Sequence, residues 1–211
     1  YSGIYYENVI IDKSINLIGE DRNTTIIDGG GRDVVKVTAY YVSISGFTVQ
    51  NGGSSWWSNA GVKLENVEHC GIEYVTASNN ENGIWLWNST NCTISNCTAN
   101  DNDRTGIYLY HSTNCIVTNC TVSTVSNYSL HGIWLDYSTN CIITNTTVSN
   151  YYYGIWLENS TNCIVTNVIA RNNWAGIEVE YSTGCTISNA NASNNDYVGI
   201  EISSTHCIVA N

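Results

Sequence analysis

One pattern recurs along this chain at a nearly constant interval, and this repeat limits the folds that the chain can adopt. Its clearest copy, GIWLDYSTNCIITN, begins at Gly132. Copies of the pattern begin at Gly61, Gly83, Gly106, Gly132, Gly154, Gly176 and Gly199. Successive copies are 22, 23, 26, 22, 22 and 23 residues apart. Such a period is the sequence signature of a repeat architecture, in which neighbouring units stack on one another.

The interior of each copy indicates what kind of unit repeats. In residues 154–175, three short stretches alternate apolar and polar residues, and polar, Asn-containing segments separate them. A period of two is typical of strands, whose successive side chains point to opposite faces. No stretch has helical periodicity, and the consensus of leucine-rich repeats is missing. We therefore predict an all-β fold, a right-handed parallel β-helix formed by one chain, with about 22–23 residues per coil.

The first part of the chain differs from the repeats. Residues 1–33 alternate apolar and polar positions and end in a glycine-rich turn, so we predict entry and capping strands there. Residues 34–211 are predicted to form one continuous solenoid. We expect the segment Gly53–Ala60 to bulge from the surface, and a small insertion near Ser123–Leu130 accounts for the longest interval.

The charge of the chain limits its partners. The net charge is −11 and only 12% of the residues are charged, whereas nucleic acids and anionic membranes require a basic surface. No apolar run approaches the roughly 18 residues of a membrane span. We therefore expect neither nucleic acid nor a membrane span, and cations, basic surfaces and neutral glycans fit better.

Asparagine is frequent, and many Asn residues lie in N-x-[ST] sequons. The sequons are at Asn23, Asn88, Asn91, Asn96, Asn119, Asn127, Asn145, Asn159 and Asn191. This density indicates an extracellular, glycosylated protein, although a chain rich in Asn, Ser and Thr also generates sequons by chance. Several sequons coincide with predicted packed corners, so the glycosylation candidates are Asn23, Asn88, Asn127, Asn159 and Asn191.

Most cysteines share one position of the repeat. This column contains Cys70, Cys92, Cys115, Cys141, Cys163, Cys185 and Cys207, and a shorter column contains Cys97 and Cys120. Neighbours in a column lie about 4.8 Å apart with parallel Cα–Cβ bonds, beyond the ~3.5–4.5 Å between Cβ atoms that a disulfide prefers. We predict buried free thiols; strained disulfides between neighbours, or one intermolecular bridge, are the alternatives. Zinc is not expected, because CxxC pairs are missing.

Asparagine columns flank the cysteines and are predicted to form the corners of the coil. One column contains His69, Asn91, Asn114, Asn140, Asn162, Gly184 and His206, and another contains Asn96, Asn119, Asn145, Asn167 and Asn189. Asn tolerates the left-handed backbone conformation of a tight corner. Stacked Asn side chains can also form hydrogen bonds along the axis.

Two outward columns of the first strand carry aromatic residues. They are Trp85, Trp87, Tyr108, Tyr110, Trp134 and Trp156. Exposed aromatic groups of this size often mark an interaction site. We expect this exposed face to bind a glycan or another subunit, and stacking that only stabilises the strands is the third interpretation.

The same two columns continue as an acidic surface. Its members are Asp136, Glu158, Glu178, Glu180 and Glu201. Carboxylates at the spacing of one coil raise one another's pKa or recruit a cation, and Ca²⁺ prefers several carboxylate oxygens. A solvated acidic face, a Ca²⁺ site and a catalytic carboxylate pair of the kind used on glycosides are the three interpretations.

The lead-in, with SGIYYENVIIDKSINLIGE and TTIIDGGGRD, and the later G-I-x-L-x-x-S-T-N-C-x-I-x-N units resemble archaeal surface β-helix proteins. Their repeats are of the NosD-like, carbohydrate-binding and sugar-hydrolase (CASH) type. The resemblance covers nearly the whole chain and implies a parallel β-helix secreted by an anaerobic archaeon. NosD is linked to copper-site maturation. This chain has no Met and its cysteines are predicted to point inward, so we do not expect copper.

The resemblance extends to pectate lyases and polygalacturonases, whose motifs are incomplete here. Lyases of this type combine an acidic Ca²⁺ cluster with a basic residue, whereas Arg104 and Arg171 lie off the acidic columns. The Gly-His-Gly and Arg-x-Lys motifs of polygalacturonases are missing, and His131-Gly132 is only a fragment of the first. We therefore expect no catalytic residues, since a shared fold does not imply a shared activity.

Two functions follow from these patterns. The first is an extracellular, cell-surface or filament-forming structural solenoid that self-associates through side faces or open ends, because the sequence stops at Asn211 without a polar cap. The alternative is a polysaccharide-binding or polysaccharide-cleaving domain that uses the aromatic and acidic face. Calcium is the one cofactor that the sequence suggests.

Overall fold

The computed structural model describes residues 1–53, 59–126 and 129–210 of the chain. In these residues every regular element is a β-strand, and the strands form a right-handed parallel β-solenoid with three sheets. The predicted fold class is confirmed. No helix with the length and apolar character needed to cross a membrane occurs in the described part of the chain.

Each of the first eight coils of the described chain contributes one strand to each of three parallel sheets, named here A, B and C, and the last coil contributes strands to B and C. Sheet A contains β1 (Gly3–Tyr6), β4 (Thr25–Asp28), β7 (Thr48–Gln50), β10 (Thr76–Ser78), β13 (Thr98–Asn100), β16 (Thr121–Ser123), β19 (Thr147–Ser149) and β22 (Ile169–Arg171). Sheet B contains β2 (Val9–Ile11), β5 (Val35–Val37), β8 (Ala60–Glu65), β11 (Asn82–Trp87), β14 (Thr105–Tyr110), β17 (His131–Asp136), β20 (Tyr153–Glu158), β23 (Ala175–Thr183) and β25 (Val198–Thr205). Sheet C contains β3 (Asn16–Ile18), β6 (Ser43–Ser45), β9 (Gly71–Glu73), β12 (Thr93–Ser95), β15 (Ile116–Thr118), β18 (Ile142–Thr144), β21 (Ile164–Thr166), β24 (Thr186–Ser188) and β26 (Ile208–Ala210).

Strands on both sides of the predicted boundary at residue 33 belong to the same sheets. The first strand of each sheet pairs in parallel with the next coil, as β1 does with β4. That residues 1–33 cap the solenoid formed by residues 34–211 therefore stays a prediction. The predicted bulge over Gly53–Ala60 lies mainly outside the described residues, as do residues 127 and 128 of the second insertion.

Left-handed residues form the corners between the short strands. The column before the cysteines has φ values between 53° and 66°, and it contains His69, Asn91, Asn114, Asn140, Asn162, Gly184 and His206. The column between sheets C and A has φ values between 47° and 54°, and it contains Tyr74, Asn96, Asn119, Asn145, Asn167 and Asn189. Asn is enriched there because its side chain can bond to the nearby backbone and tolerates this conformation.

The core consists of apolar columns, one residue from each coil. Ile84, Ile107, Ile133, Ile155 and Ile177 form one column, and none of their surface is exposed. Among the described residues all the cysteines are free; Cys207 is half-buried and the others are buried. Their thiols donate to backbone carbonyls, as Cys141 Sγ does to Ser112 O at 3.5 Å. No disulfide occurs among them in the described chain.

A buried serine column connects neighbouring coils at one corner of this core. Its members are Ser89, Ser112, Ser138, Ser160 and Ser182. The Ser138 hydroxyl donates to Leu109 O at 3.1 Å and accepts from the backbone N–H of Ser112 at 3.2 Å. The Ser138 hydroxyl therefore satisfies two buried backbone groups, which would each cost about 1–3 kcal/mol if left without a partner.

The glycine that begins each copy lies where two coils approach closely. A Cβ atom at Gly154 would lie 2.5 Å from Gly176 O and 2.7 Å from Asn173 Nδ2. At Gly71, in contrast, a Cβ atom would meet nothing within 4 Å. The recurrent glycine is therefore a requirement for close stacking.

We expect Gly154→Ala to destabilise the protein by about 1–3 kcal/mol, because the added methyl group forces the backbones of two coils apart. Thermal unfolding followed by circular dichroism measures the change. Gly71→Ala is the matched control and should shift the midpoint little. Equal midpoints for both variants would contradict the close approach at Gly154.

Candidate functional site

The outward side of sheet B carries two columns of side chains that change character along the axis. The first, named here the outer column, contains Lys36, Lys63, Trp85, Tyr108, Trp134, Trp156, Glu178 and Glu201 in register. The second outer column contains Glu65, Trp87, Tyr110, Asp136, Glu158, Glu180 and Ser203. The face therefore runs from basic, through aromatic, to acidic.

The aromatic rings of the outer column stack face to face. The ring centroids of Trp85 and Tyr108 are 5.6 Å apart, those of Tyr108 and Trp134 are 4.4 Å apart, and those of Trp134 and Trp156 are 5.4 Å apart. The interplanar angles are between 9° and 18°. The ring faces are consequently occupied by one another, and Tyr153 also stacks on Trp156, with centroids 4.9 Å apart.

This stacking corrects the expectation of an exposed aromatic and acidic face. Only 7% of Trp85, 8% of Tyr108 and 8% of Trp134 is exposed, and Asp136 and Glu178 are also buried. The strand period places these side chains outward as predicted, but each ring covers its neighbours one coil away. Trp87, Tyr110 and Trp156 are partly buried. A sugar ring therefore cannot stack on the middle of this column.

A lysine covers the first ring face of the stack. The Lys63 ammonium lies 4.1 Å from the centroid of the Trp85 ring and 5.0 Å from that of Trp87. Its charge interacts favourably with the carboxylates of Asp33 and Glu65, and Glu65 also forms an ion pair with Lys36. The sequence patterns did not identify Lys63 as part of this face, although it occupies the same repeat position.

Arg104 and His131 join the middle of the stack, and sequence reasoning also missed their role. The Arg104 guanidinium carbon lies 5.5 Å from the Trp134 ring centroid. The His131 ring lies 4.5 Å from that of Trp134, and burial, with the charge of Arg104, lowers the His131 pKa to about 3. Because His131 is buried, its ring packs against the stack and supports it.

The acidic end of the outer column contains a strongly perturbed carboxyl group. Burial and the nearby charges of Glu180 and Glu201 raise the pKa of Glu178 to about 7. Burial, and then the charge of Asp136, raises the pKa of Glu158. Burial also raises the pKa of Asp136, to which Tyr108 donates a hydrogen bond of 3.4 Å.

Several buried polar atoms on this side of sheet B have no hydrogen-bond partner among the described residues. They are Asn82 Oδ1, Trp85 Nε1, Thr105 Oγ1, His131 Nδ1, Asp136 Oδ1, Trp156 Nε1 and Glu178 Oε2. Buried polar groups are usually satisfied, so a cluster of exceptions requires an explanation such as a ligand. The Trp156 and Glu178 atoms lie in neighbouring coils at the acidic end.

Metal ligands are a poor fit to the described residues. No three His, Cys, Asp or Glu side chains in this part of the chain form a group able to hold a metal ion. The calcium site at Asp136, Glu158, Glu178, Glu180 and Glu201 therefore stays a prediction without a ligand group. For copper, the thiols point into the core and bond to carbonyls, and the chain has no Met.

A second aromatic stack, which the sequence patterns did not reveal, lies at the corner between sheets A and B. Tyr152 and Trp174 have centroids 4.4 Å apart, and Trp174 and Tyr197 have centroids 4.3 Å apart. Tyr152 and Tyr197 are exposed. The intervals of 22 and 23 residues equal the repeat period, which was the signal available in the sequence.

An open groove of about 590 Å³ lies beside this second stack. It is lined by Thr124, Val125, Asn150, Tyr151, Tyr152, Asn172, Asn173, Trp174 and Asp196. The lining residues come from four successive coils, so the groove, named here the corner groove, runs along the solenoid axis. Amide, carboxylate and hydroxyl groups alternate there with aromatic edges, a combination suited to a polar ligand of extended shape.

The predicted glycosylation sites fall in different environments. Asn23, Asn88 and Asn191 are exposed, and Asn159 is half-buried. The Asn88 side chain donates to Asn66 Oδ1 at 2.8 Å. Asn127 lies outside the described residues. Glycosylation stays a prediction.

Two protein families match parts of the chain. Residues 4–130, more than half of the chain, match the family described as "Right handed beta helix region". Residues 123–211 match the family described as "Periplasmic copper-binding protein (NosD)". No curated protein is significantly similar to this sequence.

Solved structures with the same fold include proteins that differ widely in sequence. The Dettilon tailspike protein gp208 has a TM-score of 0.74 and 17% identity over 91% of this chain and 44% of its own. XylC in complex with xylose has a TM-score of 0.74 and 14% identity over 85% and 36%. The alginate lyase of Paenibacillus sp. str. FPU-7 has a TM-score of 0.67 and 12% identity over 99% and 88%.

These similarities show the fold alone, because the identities are low. The chain also spans less than half the length of the first two of these structures.

The raised pKa of Glu178 leads to a prediction about pH. The folded state favours the protonated form of this carboxyl group. The contribution of Glu178 to stability is therefore fully present below the ordinary pKa of 4.5, and it is lost as the pH rises through about 7. Glu178→Gln mimics the protonated carboxyl group. We therefore expect it to raise the thermal midpoint at pH 8 and to leave it nearly unchanged at pH 4.5.

Scanning calorimetry at both pH values measures this difference. Glu68→Gln, at an exposed corner, is the control and should not change the dependence on pH. If Glu178→Gln shifts the midpoint equally at both pH values, the carboxyl group does not titrate as described.

Proposed function

We propose, since the chain belongs to the family of right-handed β-helix regions, that it is a saccharide-binding solenoid whose ligand is an extended polysaccharide. The polymer lies in the corner groove, along the solenoid axis. This proposal develops the second of the two functions expected from the sequence, and it moves the binding site from the outer column to the corner between sheets A and B.

The observation that carries the proposal is the composition and direction of the corner groove. Asn150 and Asn172 occupy the same position of neighbouring coils, and Asp196 lines the groove in the coil after them. Saccharide hydroxyl groups form hydrogen bonds with such amide and carboxylate groups, while the ring edges of Tyr152 and Trp174, whose faces stack on one another, provide the apolar contact. Because the coils are about 4.8 Å apart, the groove presents polar groups at regular intervals along the axis, as a polymer of repeating units requires.

The structural neighbours support a saccharide ligand. One solved neighbour contains xylose and another is an alginate lyase, so this fold presents surfaces to saccharides in proteins of different sequence. Their substrates are not transferred to this chain, because the matched sequences are at most 17% identical. We propose binding and assign no cleavage to this chain.

We further propose that the protein acts outside the cytoplasm. The family matched by residues 123–211 is described as periplasmic, and a polysaccharide ligand fits a secreted or surface protein. The structural, self-associating role, the archaeal origin and glycosylation remain predictions from the sequence. A saccharide-binding surface protein is compatible with each of them.

Substitution of the central aromatic residue of the groove tests this function. We expect Trp174→Ala to weaken saccharide binding about tenfold or more, because Trp side chains at the centre of an interface commonly contribute more than 1 kcal/mol. Affinity electrophoresis in gels that contain neutral, uronate or amino-sugar polysaccharides measures the loss. The thermal midpoint of the variant shows whether the fold is retained.

Tyr181→Ala is the matched control, since Tyr181 is an exposed aromatic residue at the opposite end of the sheet-B strand. This control should bind as the unmodified protein does. If Trp174→Ala also binds unchanged, or if none of the three polymer classes binds, the proposed function is wrong.

A further inference from the structure

We propose that the corner groove is closed at the end nearer the N-terminus, and that it therefore binds the terminal segment of a polysaccharide chain and not an internal segment. Thr124 and Val125, named here the end wall, close the groove. This inference rests on the proposed function, because it names the part of the polymer that the groove accepts.

The corner that carries the groove is one column of residues. Each of them directly follows a strand of sheet A, in the order Asp101, Thr124, Asn150 and Asn172 from coil to coil. Asp101, Asn150 and Asn172 have left-handed backbones, with φ values of 53°, 67° and 57°. Thr124 is not among the left-handed residues, so the chain leaves the regular corner path at this coil.

An insertion in the coil that begins at Gly106 causes this departure. That coil has 26 residues, whereas the next coil has 22. The hydroxyl groups of Thr124 and Ser129 share a hydrogen bond of 3.3 Å, and the Ser129 hydroxyl also donates to Asn102 O at 2.8 Å. These bonds hold the base of the insertion together. Val125 therefore lies outside the path of the coil, with 89% of its surface exposed.

The end wall lies on the line that the groove follows. The Val125 backbone N–H donates to Asp101 Oδ1 at 2.9 Å, and Asp101 precedes Thr124 in the corner column. Val125 therefore lies against the preceding coil, where the groove would otherwise continue. In agreement with this position, the residues that line the groove include Thr124 and Val125 but not Asp101.

The polar groups at the end wall already have partners. Asp101 accepts one hydrogen bond from Val125 N and another from Asn100 Nδ2 at 3.1 Å. The Thr124 hydroxyl accepts from Ser126 N at 3.0 Å. A sugar placed at the wall would meet these engaged groups and the apolar side chain of Val125. Its hydroxyl groups would lose hydrogen bonds to water without gaining new ones, which costs free energy.

Beyond the wall, the polar groups of the groove are available to a ligand. Asn150, Asn172 and Asp196 are exposed and line the groove. Within the part of the chain that the structure describes, their side chains form no hydrogen bond. The first of these groups lies one coil after Thr124. The binding surface therefore begins directly at the wall and continues away from it.

A groove that is closed at one end distinguishes the two parts of a polymer. An internal segment continues in both directions, so along the solenoid axis it would have to pass across Val125. A terminal segment continues in one direction only. Its last sugar lies against the wall, while the rest of the polymer extends past Asn172 and Asp196. The end wall therefore selects the ends of polysaccharide chains.

The ratio of bound protein to polymer at saturation tests this inference. Sedimentation equilibrium measures the ratio with length fractions of xylan, alginate and chitosan, which represent the neutral, uronate and amino-sugar classes. We expect one protein molecule per chain at every length of the polymer that binds, because each chain has one end of the required kind. A ratio that rises in proportion to chain length would show binding to internal segments and would overturn the inference.

A variant that lacks residues 125–128 removes the end wall. Its coil then has the 22 residues of the next coil. We expect this variant to bind internal segments too, so that its ratio of protein to polymer rises with chain length. Tyr181→Ala is the control and should keep the ratio of the unmodified protein. Circular dichroism shows whether the shortened variant is folded, and an unchanged ratio in a folded variant would contradict the role of Val125.

Oligosaccharides with one modified end test the same point without any change in the protein. One set of oligomers carries a bulky aromatic label at the reducing end, and another carries a branching sugar at the other end. We expect one of the two modifications to weaken binding about tenfold or more in calorimetric titration, because the modified sugar no longer fits against the wall. If both sets bind as the unmodified oligomers do, the inference is wrong.

The failure of this inference differs from the failure of the proposed function. A ratio that rises with chain length in the unmodified protein, with binding lost in Trp174→Ala, would overturn the inference and retain the proposed function. If xylan, alginate and chitosan all fail to bind, the proposed function is wrong, and the inference fails with it.

Discussion

In-register parallel stacking of the coils is the constraint on which the rest of this structure depends. Each side chain lies about 4.8 Å from its counterparts in the coils before and after it, so every position of the repeat becomes a column. Columns of Ile and Ser are stabilised by this geometry, because apolar groups pack and a hydroxyl such as that of Ser138 bonds to the coil before it. The glycine column exists for the same reason, since only Gly permits the backbone approach at Gly154.

The same constraint has opposite effects on the two halves of the outward face. Rings stack on one another and bury their faces, so a column such as Tyr108–Trp134 gains stability but loses its faces as binding surface. Burial, and then repulsion by neighbouring carboxylates at this spacing, raises the pKa of Glu178 to about 7. Stacking therefore closes this face to a ligand and leaves the corner groove as the place where a ligand adds most.

The fold could be predicted from the sequence because a repeat of strand-like stretches has few solutions, and the positions of Gly154 and Cys141 already defined the coil. The exposed fraction of these outward side chains could not be predicted. Strand alternation predicts the face on which a side chain lies, but not how much of it the neighbouring side chains cover. The position of Arg104 depends on a corner outside the repeat pattern, so its contact with Trp134 had no sequence signal. The Tyr152–Trp174 stack had a signal in its period, but it lies in a corner segment that differs between copies.

A crystal structure of the protein with a bound oligosaccharide would test the account most directly. The account predicts saccharide density in the corner groove, parallel to the solenoid axis and beside Trp174. Density that crosses the axis, or that lies against another face of the solenoid, would contradict it.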